Sequence, residues 1–184
     1  ESPFLYDYLV RMCGDKQRSL KVIEFNTKKL ISSKYRWKSL NELRLSLYRA
    51  CRNNCLDIWD IDTGSLSHPE YQNQEDVKQQ EDLSKLNFQL NQLDPSKKEI
   101  ILLKDRCQFG FSDIVEIRPM NRYDLESEFE TGYKELIENL DLPTTNIRQL
   151  VHNLSCYPIH EKSSTSYLPE IVLSWIRHHI FIRK

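Results

Sequence analysis

Three stretches decide the fold: Leu93-Asp94-Pro95-Ser96-Lys97-Lys98-Glu99-Ile100-Ile101-Leu102-Leu103-Lys104, then Ser112-Asp113-Ile114-Val115-Glu116-Ile117, then Asn121-Arg122-Tyr123-Asp124-Leu125-Glu126-Ser127-Glu128-Phe129. The Asp94-Pro95 pair ends one helix and opens the next, with Asp as N-cap and Pro at the first helical position. Beyond the third stretch, Leu125, Phe129, Tyr133, Leu136 and Leu140 recur on one helical face. The order is helix, short helix, turn, longer helix, which is the layout of a helix-turn-helix module.

The charge of that module opposes the layout. Between Phe111 and Asp141, nine acids (Asp113, Glu116, Asp124, Glu126, Glu128, Glu130, Glu135, Glu138, Asp141) face three bases (Arg118, Arg122, Lys134), a net of -6. A helix in the major groove meets phosphates at close range, so Glu126, Glu128 and Glu130 would be repelled there. They suit a basic protein surface or plain solvent better. Between Phe25 and Leu56 the balance reverses. Lys28, Lys29, Lys34, Arg36, Lys38, Arg44, Arg49 and Arg52 oppose Glu42 alone, a net of +7, with Tyr35, Trp37 and Tyr48 interleaved. Such a segment can neutralise phosphates and stack unpaired bases, or be a solvated helix face over core aromatics.

Working outward, Leu5, Tyr8, Leu9 and Met12 recur at helical spacing until Gly14 stops them. A second helical pattern covers Ser19 to Leu30. Ser39-Leu40-Asn41-Glu42 is a capping box, and the helix it opens is expected to turn Leu40, Leu43, Leu47 and Cys51 inward and to run to about Trp59. From Asp60 to about Asp82 the chain is polar without apolar periodicity, which reads as a linker letting two halves move independently. Leu83, Leu86, Leu90 and Leu93 restart a helix. After Leu142-Pro143 come a helix at Ile147–Leu154, a Ser/Thr segment and a terminal helix from Pro169 carrying Ile171, Val172, Trp175, Ile176 and Ile180. No strand pattern or internal repeat has weight. The expected fold is all-α: a helical unit over 1–60, a linker over 61–82, a helix-turn-helix unit over 83–141 and a helical extension over 142–184.

Composition narrows the function. The chain has 184 residues, a net charge of -1 and only 4 Gly. No phosphate-cradling glycine motif occurs, and no apolar run approaches the roughly 20 residues that span a bilayer. Glu1-Ser2-Pro3 is neither a signal peptide nor an initiator Met and reads as a trimmed end. The five cysteines, Cys13, Cys51, Cys55, Cys107 and Cys156, read as reduced thiols of a cytoplasmic protein. Cys51 and Cys55 read as small buried apolar residues. His152, Cys156 and His160 have metal-ligand spacing, but Pro158 interrupts the helix that would align them. Asp57 and Asp60 lack a metal-ligand set or a glycine-lined pocket and read as surface or cap residues. No cofactor, metal, small-molecule substrate or enzymatic activity is expected.

From Phe4 to Leu140 the chain resembles the bacterial extracytoplasmic-function sigma factors, the two-domain minimal type. Tyr8, Leu9, Arg11, Gly14 and Asp15 match the family's opening Tyr-Leu-x-Arg-x-x-Gly-Asp. Leu43, Arg44, Leu47, Tyr48, Asn53 and Asp57 match its Leu-Arg-x-Trp-Leu-Tyr-x-x-Ala-x-Asn-x-x-x-Asp, with Ala50 displaced by one. In the second half, Leu93, Asp94, Lys98, Glu99, Ile100, Ile101, Leu103 and Lys104 fall without a gap on Leu-Pro-x-x-x-Arg-Glu-Val-Leu-x-Leu-Arg. Asp113-Ile114-Val115 falls on Glu-Ile-Ala, and Asp124-Leu125 on the Thr-Val pair that opens the recognition helix. The departures sit at contact positions. The polymerase-clamp motif Asp-x-x-Gln-Glu-x-Phe falls on Lys21 to Thr27 and is lost. The Trp of the third helix is Ser46, the Arg after Asp57 is Asp60, and basic recognition-helix positions hold Glu128 and Thr131.

The resemblance implies a sigma-like transcription regulator that binds RNA polymerase core and promoter DNA. The departures imply the alternative, a degenerate sigma-like module that binds protein, as an anti-sigma-factor mimic or an adaptor, and no longer reads promoters. The DNA-contact candidates are Lys34, Tyr35, Arg36, Trp37, Lys38, Arg49, Arg52 and Asn53. The partner-contact candidates are Glu126, Glu128, Glu130, Ile171 and Trp175. The expected partners are RNA polymerase core or an anti-sigma-like protein, with promoter DNA through the first half. The terminal helix is expected to pack on one of the units, or on a second copy.

Overall fold

The computed structural model describes residues 2–33, 37–55, 74–140 and 142–154. Its helices are α1 (Ser2–Cys13), α2 (Lys16–Ser32), α3 (Leu40–Cys55), α4 (Gln74–Gln92), α5 (Pro95–Ile101), α6 (Phe111–Ile117), α7 (Arg122–Leu140) and α8 (Thr144–Asn153). A π-helical turn, Leu102–Arg106, continues α5 without a break. The described residues contain no strand, so the fold is all-α.

The ends of the helices follow from local chemistry. Gly14 takes φ 71° after α1, a left-handed turn that costs glycine little. Its N–H donates to the Val10 carbonyl at 2.8 Å. Asp15 caps α2 by accepting from the Arg18 N–H at 2.9 Å. The Ser39 hydroxyl accepts from the Glu42 N–H at 3.1 Å, as a capping box requires. The Glu42 carboxylate reaches back one residue further than the motif predicts, to the Lys38 N–H at 2.6 Å. Asp94 accepts from the Ser96 N–H at 2.8 Å with Pro95 in the first turn, and Asn121 accepts from the Asp124 N–H at 2.8 Å where α7 begins.

The packing departs from the expected division. Every residue of α1 from Leu5 to Cys13 is buried. A helix buried on every face cannot be one wall of a three-helix unit with a wet outer face. It needs cover on every side. Helices α2 and α3 supply one part, and α5 with the π turn supplies another. Leu9 and Val10 share one core with Ile100–Leu103, Ile114, Leu136 and Val151. The boundaries 1–60, 61–82, 83–141 and 142–184 therefore do not delimit separate cores. Helix α4 begins at Gln74, inside the stretch expected to be linker. Helix α8 buries Ile147, Val151 and Leu154 against the rest, so the extension joins the core through at least residue 154.

One smaller expectation also changes. Leu40 is half exposed instead of inward. The buried face of α3 is Leu45, Tyr48, Cys51, Arg52 and Cys55. The reason is that α3 packs between α2 and α6 as well as on α1, which rotates its inner stripe. Where α7 crosses α5, Gly132 is buried, and a Cβ there would lie 3.0 Å from Ile101 Cδ1 and 3.2 Å from Lys97 Cβ. The absent side chain is what lets these helices approach.

A shared core predicts shared unfolding. Leu9 is fully buried, and Leu9→Ala is expected to cost about 2–5 kcal/mol. The amides of α3 and α5 should lose that protection together in native-state hydrogen exchange. Protection lost in α3 alone, with α5 unchanged, would establish two independent units.

Candidate functional site

The side chains joining the first three helices to the rest form the most charged region of the interior. Glu99, on α5, has no exposed surface. One carboxylate oxygen accepts from the Tyr8 hydroxyl at 2.7 Å and from Arg52 Nε at 2.6 Å. The other accepts from Arg52 Nη2 at 3.3 Å and from Arg118 Nη1 at 3.2 Å. Arg118 also donates to the Ser96 carbonyl at 3.2 Å and to the Ser96 hydroxyl at 2.7 Å. Four helices, α1, α3, α5 and the end of α6, thus meet on one carboxylate. Burial, then the adjoining Glu99 charge, raises the Tyr8 pKa well above its ordinary value. The phenol stays a neutral donor.

A second buried pair holds α1 at the residue next to Tyr8. Asp7 is fully buried and pairs with Arg106 of the π turn, whose Nη1 also donates to the His152 carbonyl at 2.8 Å. The Arg106 guanidinium lies 4.7 Å from the Phe4 ring centroid. One turn along, Arg11 donates to the Asn87 side chain, and its Nε and Nη2 find no partner among the described residues.

The basic segment of the sequence is drawn into these joints. Arg44 donates to the Cys107 carbonyl and lies 4.0 Å over the Phe109 ring. Arg49 donates to the Glu116 carbonyl and has Nη2 3.8 Å from the Glu116 carboxylate. Arg52, expected on the surface as a phosphate contact, is buried on Glu99, which corrects that assignment. Its long side chain reaches inward to share with Arg118 the neutralisation of a fully buried carboxylate. Lys38 and Asn53 are exposed, and Trp37 is half-buried. Lys34, Tyr35 and Arg36 lie outside the described residues, as do Ile171 and Trp175 and the remaining proposed ligands Cys156 and His160.

On the acidic side, Glu130 is exposed as expected and Glu126 pairs with Arg122 at 2.7 Å on its own helix. Glu128 is corrected. It turns inward to bond the Ser96 hydroxyl and sits 4.0 Å from Arg118. The outward stripe of α7 is Tyr123, Ser127, Glu130, Thr131, Lys134 and Glu138.

Sequence reading missed the Glu99 joint altogether. Its signal was present: a Glu followed directly by the apolar run Ile100-Ile101-Leu102-Leu103. It missed equally the pairing of Asp105, in the π turn, with the Tyr133 hydroxyl. Burial raises the Asp105 pKa, while Tyr133, Arg148, Lys104 and His152 act to lower it. The described residues hold no cluster of His, Cys, Asp or Glu fit for a metal ion, and no described helix is long and apolar enough to cross a membrane. A cleft of about 250 Å³ is lined by Asp82, Leu142, Asn146, Gln149, Leu150 and Asn153. Its amides and lone carboxylate bring no nucleophile beside a base.

No protein-family model, curated protein or solved structure matches this chain.

Two outcomes test the joints. Arg52→Met strips a counter-charge from a carboxylate that stays buried, and is expected to destabilise by roughly 3 kcal/mol. A denaturant midpoint equal to that of the native protein would put Arg52 back on the surface. For Asp105 the sign follows from its raised pKa: the ionised form is disfavoured in the fold, so its cost is absent below the ordinary carboxylate range and appears as pH rises through the raised value. Asp105→Asn still accepts from Tyr133 and carries no charge. It should therefore melt higher than the native protein at neutral pH, with the gap closing in acid. A gap that widens in acid would reverse the assignment.

Proposed function

We propose that this chain is a sigma-like helical module that works through protein contacts and does not read duplex DNA with α7. The observation that carries the reading is the fate of the arginines. Arg44, Arg49 and Arg52 supply three of the eight cations of the basic segment, and each is anchored on the second half of the chain. Phosphate contact by Arg44 or Arg52 would require breaking those joints. The α7 stripe that would enter a groove presents Glu130 and Glu138 outward, with Lys134 as its single base. Acids at that position repel a phosphate backbone and attract a basic protein surface. The sigma resemblance directs the search for that surface to RNA polymerase core or an anti-sigma-like protein.

The second reading, a sigma factor that still directs polymerase to promoters, is favoured by two features. Helix α6, the turn at residues 118–121 and α7 follow one another in helix-turn-helix order, and Lys38 and Asn53 remain exposed on the first half.

The full chain separates the two. Titrated with duplex DNA at low salt, it is expected to bind weakly, without the steep salt dependence of multiple phosphate contacts. Polymerase core or a basic partner captured from the host should be released by the double charge reversal Glu130→Lys, Glu138→Lys. Sub-micromolar, salt-sensitive duplex binding, or a partner indifferent to the reversal, would overturn the proposal.

A further inference from the structure

Helix α2 packs on α1 and α3 and leaves its other side open. Along that side Lys21, Phe25 and Lys29 follow one another at intervals of four residues. Both lysines are exposed, and Phe25 keeps 60% of its surface in water. Helix α7 packs on α4, α5, α6 and α8 and has an open side of its own. There Glu130, Lys134 and Glu138 recur at the same interval of four. Glu130 is exposed, and the side chains of Lys134 and Glu138 are 76% and 62% exposed.

One row reads cation, aromatic ring, cation. The other reads acid, cation, acid. Each spans two helical turns and more, about 12 Å, so their ends match in length. With Lys21 and Lys29 set against the two glutamates, in either direction, Phe25 falls opposite Lys134. A ring face attracts an ammonium group there, where another lysine would repel it. Rows at this interval are also the ridges along which helices pack, crossing at about −50°. We propose that copies of this chain dock head to tail, the open face of α2 in one copy on the open face of α7 in the next.

Within one molecule the two helices pack on different neighbours, so the rows meet only between copies. The contact is heterologous. Each copy offers α2 to one neighbour and α7 to another, which builds a chain or a ring of copies. The net charge of -1 leaves little long-range repulsion to oppose it. One pair of helix faces is smaller than the roughly 1,200 Å² at which stable interfaces begin. The association is therefore weak, set by concentration, and sensitive to salt because its charges are exposed. It occupies the α7 surface that a basic partner is proposed to take, so copies and partner exclude each other, but the contact itself does not depend on that partner.

The test uses the purified full chain alone, sedimented at rising concentration. At about 50 mM salt its average mass should climb above that of the monomer, and about 1 M salt should reverse the rise. Carbodiimide treatment of mixed isotope-labelled and unlabelled copies should join Lys21 or Lys29 of one copy to Glu130 or Glu138 of another. Lys21→Glu with Lys29→Glu, and separately Glu130→Lys with Glu138→Lys, should each weaken association at least about tenfold, and mixing the two variants should restore it. Phe25→Ala should weaken it less. Lys38→Glu with Lys85→Glu makes the same change in net charge away from α2 and α7 and should leave association as it was. A chain that stays monomeric at about 1 mM in low salt would overturn the proposal. So would cross-links confined to other residues, a control as disruptive as the α2 reversal, or reversed variants that ignore each other. None of these results touches the proposed basic partner, whose release by the α7 reversal is measured separately.

Discussion

The rest of the structure depends on the absence of a solvent face on α1. A helix buried from Leu5 to Cys13 can be satisfied only if other helices close around it on all sides. That requirement draws α2 and α3 to it, and α5 with the π turn to it as well. The polar residues it carries, Asp7, Tyr8 and Arg11, must then find partners in the interior. Tyr8 finds Glu99 and Asp7 finds Arg106. Each of these pairs ties the first helix to a segment more than ninety residues away. The long-range order of the chain is written largely in these two bonds.

Such joints stabilise less than their charges suggest. Desolvating Glu99, Arg52 and Arg118 offsets most of their mutual attraction, and apolar residues of the same shape could serve as well. What they contribute is registry. Glu99 accepts from three residues on three elements at set distances, so a slip of α3 by one residue would leave the Arg52 guanidinium unpaired in the core and Glu99 with one counter-charge fewer. Arg11 shows the cost of an incomplete network, with one amide partner for its whole guanidinium. The arrangement also ties function to fold. Arg44 and Arg52 cannot both hold the two halves together and meet phosphates.

Much of this was legible in the residues. Gly14, Ser39, Asp94 and Pro95 mark helix ends by local chemistry, and local chemistry is what sequence spacing encodes. The apolar face of α7 was legible for the same reason. The domain division was not. A polar stretch from Asp60 to Asp82 looks like a linker whether the flanking helices touch or not, because contact between them is settled by which faces are apolar. The clue was in α1, where Tyr6, Val10 and Cys13 fill the positions between Leu5, Leu9 and Met12 and leave only Asp7 and Arg11 as charged residues, too few for a wet face. The site suffered more. Arg52 and Lys38 look alike in a count of basic residues, yet one is buried on Glu99 and the other is exposed. Charge along a chain says nothing about the direction in which a side chain points.

That directional sorting also changes what the net charge of -1 means. In the basic segment, Arg52 is neutralised in the interior and Arg44 is held at a backbone carbonyl and an aromatic face. On the acidic side, Glu99 and Asp7 are neutralised in the same way, while Glu130 and Glu138 point outward. Exposed charges act over about 8 Å at physiological ionic strength. A partner approaching α7 therefore meets the local acids and not the distant arginines. Burial has converted a chain of almost balanced charge into one whose α7 surface presents acids. The same joints that fix the register of the halves thereby set the sign of the surface on which a partner would act.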